Sequence, residues 1–323
     1  MDSLKIKVVV DWIITANCPM RCNHCIVGEL VSMAKVRKDQ ELTTQESKDL
    51  IDFLYDHGAR ALSITGGEAL IRRDLFEVID YGRGKGMKVF LYTTGLPFIN
   101  LTTGELRTDY VHQVLNRVDF LGISIDTFHD AAHQQIKPKE YCEMLVRALF
   151  GYASDKFPSL QIQLFTVLGR RNDADSVEAT VNDCGYIANI IDTIGSEIGI
   201  PIRWRLSPFR FNPGSMHWWQ QQLLFSGEEI QEIQLRLGER FEGNPNFTMH
   251  FGVDYDSFFV YPDGKFRTVR LDEHGIDRFT ELGTFRGREI LLPEVWQELY
   301  EKDGQTAKLM KRVDILKLKE DPQ

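Results

Sequence analysis

Between residues 6 and 206 the chain alternates short β-branched or aromatic runs with amphipathic stretches of helical period, and no other feature restricts its fold so strongly. Strand-like runs fall at about 6–15, 61–65, 88–92, 120–125, 160–167 and 200–206. Helix signals separate them. Thr43-Thr44-Gln45-Glu46 reads as a capping box before Leu50, Phe53 and Leu54, with a stop at Gly58. A second helix runs from Asp74 to near Gly86, a third carries Val111, Val114 and Leu115, and others follow Pro138 and span about 176–194. Strands joined by crossover helices pair in parallel, so the expected class is α/β, with six β/α units rather than the eight of a closed TIM barrel.

Parallel sheets of this kind collect their chemistry at the C-terminal ends of the strands. The first strand ends in Cys18-Pro19-Met20-Arg21-Cys22-Asn23-His24-Cys25, the second in Gly66-Gly67-Glu68, the third in Thr93-Thr94-Gly95, the fourth in Ser124 and Asp126, and the sixth in an arginine cluster. Three thiols so close together suit one soft metal centre. A structural zinc site would usually draw four protein ligands, often as two separated pairs, and His24 between Cys22 and Cys25 is badly placed to be the fourth. Cys22 and Cys25 also have the spacing of a thioredoxin-like redox pair, which leaves Cys18 without a role. Three thiolates hold three irons of a [4Fe–4S] cube and leave the fourth iron open to a group that is not protein.

At these residues the sequence resembles the radical S-adenosylmethionine (radical SAM) superfamily, whose motif is the C-x3-C-x2-C spacing of Cys18, Cys22 and Cys25. The resemblance implies a partial (β/α)6 TIM-like barrel, a [4Fe–4S] cluster on these cysteines, and SAM bound at the open iron. In that family one electron cleaves SAM to methionine and a 5′-deoxyadenosyl radical, which takes a hydrogen atom from the substrate. It also implies cofactor contacts by Gly66, Gly67 and Glu68, the family's "GGE" motif for the methionine amino group. Ala69 stands where the family often has proline. Thr93 takes part in a Thr-Thr-Gly in place of the frequent Thr-Asn-Gly, Ser124 and Asp126 match its Ser-x-Asp, and His24 takes the usually aromatic place before the third cysteine. The bland alternatives are a plain turn at Gly-Gly-Glu and helix caps at Thr93, Ser124 and Asp126.

Period-two alternation puts Gln161 and Gln163 on one face of the fifth strand, and Arg203, Arg205 and Ser207 on one face of the sixth. Parallel strands covered by helices should be apolar on both faces, so these residues point to a ligand cavity. Gln163, Arg203 and Arg205 are the candidate substrate contacts, with an anionic or polyhydroxylated ligand suited to the arginine forks. Pairing of an arginine with Glu197 or Asp192 is the simpler reading. Cys142 and Cys184 read as buried helix residues, with return of a hydrogen atom to a product radical as the functional alternative. Trp218-Trp219 suits either a lid or a hydrophobic anchor.

From about residue 225 the pattern changes to a helix at 228–241, a hairpin around Pro262-Asp263-Gly264 and a helix from about Pro293. The expected division is a core at 1–224 and a small α+β extension at 225–323. That extension resembles the SPASM/twitch extensions of radical SAM enzymes, but without a cysteine beyond Cys184 it lacks the ligands for a second cluster. The net charge of −9 gives no basic footprint for a nucleic acid or an anionic membrane, no apolar run approaches a membrane span, and the N-terminus is not a signal peptide. Five cysteines with three clustered suit a reducing, cytoplasmic setting.

The expected function is a single-cluster radical SAM enzyme acting on a small polar or anionic metabolite. A nucleoside or sugar intermediate of natural-product (antibiotic) biosynthesis is favoured, with an external flavodoxin- or ferredoxin-type electron donor. The short lead before the first strand leaves no room for an N-terminal peptide-recognition domain. A peptide-modifying maturase is the alternative enzyme, and a non-catalytic zinc- or cluster-binding scaffold is the alternative of another class.

Overall fold

A computed structural model of the chain describes residues 8–20, 22, 24–25, 40–125, 139–170, 176–210, 218–252, 256–271, 277–286 and 289–290. Asp126, Pro138 and the helix expected from Pro293 lie outside them. The expected alternation is present: β1 (Val8–Ile13), α1 (Thr44–Asp56), β2 (Ala59–Thr65), α2 (Leu75–Gly84), β3 (Lys88–Thr93), α3 (Thr108–Leu115), β4 (Phe120–Ser124), α4 (Lys139–Lys156), β5 (Gln161–Leu168), α5 (Ser176–Ile198) and β6 (Ile202–Pro208). Strands β1 to β6 pair in parallel in chain order, so all six C-terminal ends reach one edge of the sheet.

The two faces of this sheet differ. Val10, Trp12, Leu62, Ile64, Val89, Leu91, Leu121, Leu164 and Trp204 on one face share a single core with Leu50, Val78, Val111, Leu149 and Ile187 of the helices. The other face carries a small core built from strand residues alone, Val9, Ala61, Phe90 and Phe120, with Tyr92 and Phe165 packed against it. Its rings meet tilted or edge-on, as Tyr92 does with Phe165 at a centroid distance of 5.2 Å. Helices on one face and a strand-only core on the other make the partial barrel, whose inner face is the strand-only one.

Beyond β6 the sheet goes on. Helix α6 (Gly227–Phe241) opens with a Ser226–Glu229 capping box and lies on α5, where Arg236 pairs with Glu178. It delivers β7 (Phe247–Phe251), a seventh strand parallel to β6. Phe247 is buried between the rings of Trp204 and Phe241. The division expected at 224/225 therefore meets no break in the sheet. Strand β8 (Asp256–Val260) returns to the opposite edge and pairs in parallel with β1, followed by β9 (Lys265–Leu271), β10 (Asp277–Thr284) and β11 (Glu289–Ile290) in antiparallel succession. The hairpin expected at Pro262-Asp263-Gly264 joins β8 to β9. Among the described residues the result is one sheet of 11 strands in the order β11-β10-β9-β8-β1-β2-β3-β4-β5-β6-β7. No helix among the described residues is long and apolar enough to cross a membrane.

Capping details hold the helix starts. Thr43 and Glu46 form the expected box at α1. Asp74, before α2, accepts from Arg72 Nε and Nη2 at 2.8 and 2.9 Å and from the Thr44 hydroxyl at 2.7 Å. The Arg72 hydrogen bonds hold the Asp74 carboxyl down to about 2, against the opposing pull of burial. A carboxyl depressed in the folded state stabilises the fold above its unfolded value, and that contribution is lost as pH falls towards the folded value. Urea midpoints should therefore drop between pH 4 and pH 2, from about 3.8 to about 2 for this group. Asp74→Asn should be less stable at pH 7 and show a shallower loss across that acid window.

Candidate cofactor site and active site

Parallel pairing runs past the end of β1. Ile14 N donates to Thr65 O (2.9 Å), Gly67 N to Thr15 O (2.8 Å) and Glu68 N to Asn17 O (2.7 Å). The Gly-Gly-Glu turn is thus laid against the first residues of the cysteine loop, one residue short of Cys18. Glycine is required there by close approach: a Cβ on Gly67 would sit 2.2 Å from Asn17 O, and one on Gly66 2.9 Å from Thr15 O. The neighbour these glycines admit is the chain's own backbone.

The loop that follows holds Cys18, Cys22 and Cys25, all half-buried and none in a disulfide. Cys18 and Cys22 pack against the main core, Met20 N donates to Cys18 Sγ at 3.4 Å, and Cys25 N donates to Cys22 O at 3.2 Å. His24 lies in this turn, half-buried. Three reduced, accessible thiols on one loop, one already accepting a backbone N–H, are the donor set that an iron–sulfur cluster uses. The donor set fits that group by its chemistry, although among the described residues no three such side chains are gathered closely enough to hold a metal ion.

Glu68 is almost fully buried (1% exposed). One carboxylate oxygen accepts from Leu70 N (3.0 Å) and the Thr93 hydroxyl (2.8 Å), the other from Thr94 N (2.8 Å) and the Thr94 hydroxyl (2.6 Å). A carboxylate offers about four acceptor positions, and all four are used between the ends of β2 and β3. The two hydroxyls in turn accept from Gly95 N and Leu96 N, so Glu68 also fixes the turn that begins the next segment. Tyr110 braces the same corner by donating to Leu70 O (2.9 Å), and burial raises its hydroxyl pKa. Ser124, half-buried, ends β4 beside Phe165 of β5.

Residues with an inward register continue across the sheet. Gly122 of β4 pairs with Gln163, Gln163 with Arg203, and Arg203 with Thr248 of β7. One step nearer the strand ends, Ser124 pairs with Phe165, Phe165 with Arg205, and Arg205 with His250. Along β5, Ile162, Leu164, Thr166 and Leu168 are buried, whereas Gln161, Gln163, Phe165 and Val167 are half-buried, so this part of the inner face is open. Arg203 is exposed and reaches Gln161 Oε1 at 3.3 Å. Arg205 is half-buried, lies 5.9 Å from the Phe165 ring centroid and packs against Gly252, where a Cβ would sit 2.4 Å from its Nε. The acids weighed as arginine partners are used elsewhere: Asp192 accepts from Asn244 and Asn246, and Glu197 from Arg147.

Gly66, Gly67, Glu68, Thr93 and Ser124 therefore share one edge with the cysteines, while Gln163 and Arg205 line the adjoining inner face, with Arg203 deeper along the strand. Asp126 lies outside the described residues. Cys142 and Cys184 belong to the helix-side core, and burial pushes the Cys184 thiol up. Two residues, Asp11 and Glu41, escaped the sequence reading. Asp11, buried on the inner face in register with Ser63, was signalled by a lone acid within the apolar run of β1. Thr94, read only as part of the Thr-Thr-Gly turn, supplies two of the four donors to Glu68. Glu41 accepts from the Thr15 hydroxyl (2.9 Å) and Ala16 N (2.7 Å), a contact that no local pattern announces.

The family model for the Radical SAM superfamily matches residues 12–184. Over 164 residues the chain is 29% identical to the AdoMet-dependent heme synthase of Methanosarcina barkeri, covering 51% of this chain and 43% of that protein. It is 28% identical over 170 residues to mycofactocin maturase MftC of Mycolicibacterium smegmatis, covering 52% and 40% respectively. The matches thus span about two fifths of these relatives' own length. The crystal structure of Streptococcus suis SuiB bound to S-adenosylmethionine superposes with a TM-score of 0.55 at 8% identity, over 81% of this chain and 58% of that one, a likeness of fold. A cysteine loop, a glycine turn and a threonine turn side by side on consecutive parallel strands, within a match covering more than half its length, place this chain in the radical SAM superfamily.

Proposed function

We propose that the chain is a radical SAM enzyme with one [4Fe–4S] cluster on Cys18, Cys22 and Cys25, acting on a small polar or anionic substrate held at the inner face. When bound, the cluster and SAM supply a 5′-deoxyadenosyl radical for hydrogen abstraction, chemistry that belongs to the cofactor. The protein's part is to hold, orient and shield. Gly66 and Gly67 hold SAM through backbone, with Thr93, Ser124, Asp126 and His24 around it. Glu68 serves this site by tying the β2 and β3 turns together, since its acceptor positions are used within the chain. The substrate lies beside Gln163 and Arg205, with the exposed Arg203 one register step farther from the strand ends, and the expected electron donor is a flavodoxin- or ferredoxin-type protein.

The observation that carries the substrate reading is Arg205. It is a cation held between Phe165 and Gly252 on the open inner face, in a protein of net charge −9. Arginine presents a planar fork that suits carboxylate or phosphate. The likeness to a maturase favours a second reading, in which the anionic group sits on a peptide. Anaerobic reconstitution followed by a 5′-deoxyadenosine assay tests the function. Nucleotides, sugar acids and short acidic peptides form its arms. Formation of 5′-deoxyadenosine with iron bound supports the reading, and intact SAM beside a strong reductant in every arm defeats it.

Two variants probe the roles given to side chains. Arg205→Leu should weaken binding of an anionic substrate by about tenfold to a hundredfold, the worth of a hydrogen bond to a charged group, and leave SAM affinity unchanged. Glu68→Gln puts an amide among four donors and should destabilise the metal-free protein by about 1–3 kcal/mol, read by thermal denaturation. If Glu68→Gln melts like the parent and only SAM binding is lost, the side chain faces the ligand instead.

A further inference from the structure

Strands β8 to β11 belong to a part of the chain that carries no cysteine, so a cysteine-held cluster does not explain them. We propose that they strap the cysteine loop shut at its roots, with Arg286 and Glu41 as positioning residues. The cysteine loop leaves the sheet at Thr15-Ala16, and beyond Cys25 the chain is next described at Gln40-Glu41. Glu41 joins these two points through its contacts with the Thr15 hydroxyl and Ala16 N. Arg286, just past β10, then fastens the second point to the C-terminal strands. Its Nη1 donates to Gln40 O (2.9 Å) and its Nη2 to Glu41 O (3.1 Å), while Nε and Nη2 grip the Glu46 carboxylate at 2.7 and 2.9 Å.

The turn between β8 and β9 takes part as well. Leu42 N donates to Pro262 O (2.7 Å), and Phe285 N to Gly264 O (2.8 Å). A continuous path of hydrogen bonds therefore runs from β10 through Arg286 and Glu41 to Ala16, two residues before Cys18. A planar fork meeting two successive carbonyls and a carboxylate is specific geometry, which a point charge such as lysine does not reproduce. Closing a loop at its roots removes conformations that cluster binding would otherwise have to remove.

This inference rests on the cysteine loop being the cluster site, and the test separates the two. Hydrogen exchange of peptides covering residues 12–22 is measured in metal-free protein, and the rate of iron loss to a chelator is measured after anaerobic reconstitution. Arg286→Ala and Glu41→Ala should each raise both rates by about fivefold or more, the factor that one lost hydrogen bond of about 1 kcal/mol carries. The global melting temperature should barely move, because exposed ion pairs contribute little to it. Glu41→Gln keeps a carbonyl oxygen for Thr15 and Ala16 and should behave like the parent, which also serves if Arg286→Ala folds poorly. Unchanged exchange and iron loss in the alanine variants, or a uniform rise over the whole protein with a lowered melting temperature, overturns the strap. Failure of the parent to bind iron overturns the site assignment instead.

Discussion

Backbone lies against backbone where β2 ends and the cysteine loop begins, and the arrangement of the site follows from that contact. Two N–H groups, of Gly67 and Glu68, reach two carbonyls of the departing first strand at hydrogen-bond distance. No residue with a Cβ fits at Gly67 without displacing Asn17. The cost of glycine is conformational freedom in the unfolded chain, offset here by two short main-chain bonds in a buried corner. Because the contact is main chain to main chain, it sets the distance between the thiolate loop and the glycine turn without depending on a side-chain rotamer.

Glu68 extends that order sideways. A buried carboxylate is costly unless its lone pairs are filled, and four donors from the ends of β2 and β3 fill them. The same residue that a motif reading assigns to a ligand thus holds two neighbouring turns together. On the opposite side of the first strand, Arg72 (side chain 6% exposed) does similar work, donating to Ile14 O, Leu42 O and the Ser47 hydroxyl as well as to Asp74. Glu68 and Arg72 therefore place two buried charges beside the ends of the first strands, each held by neighbours from different elements.

Much of this was legible in the residues. Period, caps and turn chemistry located all six β/α units, because each local preference agreed with the tertiary context. The spacing of the cysteines and the glycines after the second strand marked the edge where chemistry gathers. Strand β7 was not read as a strand although Phe247-Thr248-Met249-His250-Phe251 alternates apolar and polar side chains; its place beside β6 depends on the ring of Trp204, a residue remote in sequence. Nor was the union of β8 with β1, a pairing that the hydrophobic pattern of either strand permits but does not specify. The saturation of Glu68 was hidden for a related reason: three of its four donors come from Thr93 and Thr94 at the end of the neighbouring strand, about 25 residues on.

The pairing of β1 with β8 has a consequence for how the protein is made. The first strand and the eighth are separated by more than 240 positions, with β1 starting at Val8 and β8 at Asp256. A ribosome adding roughly 5–20 residues per second needs on the order of tens of seconds to cover that interval. Throughout it β1 has only its β2 side satisfied, and the loop bearing the thiols emerges long before the strands that brace it. Until then the nascent protein offers an unfinished sheet edge beside three free thiols, and an unpaired strand edge is a template for wrong pairing.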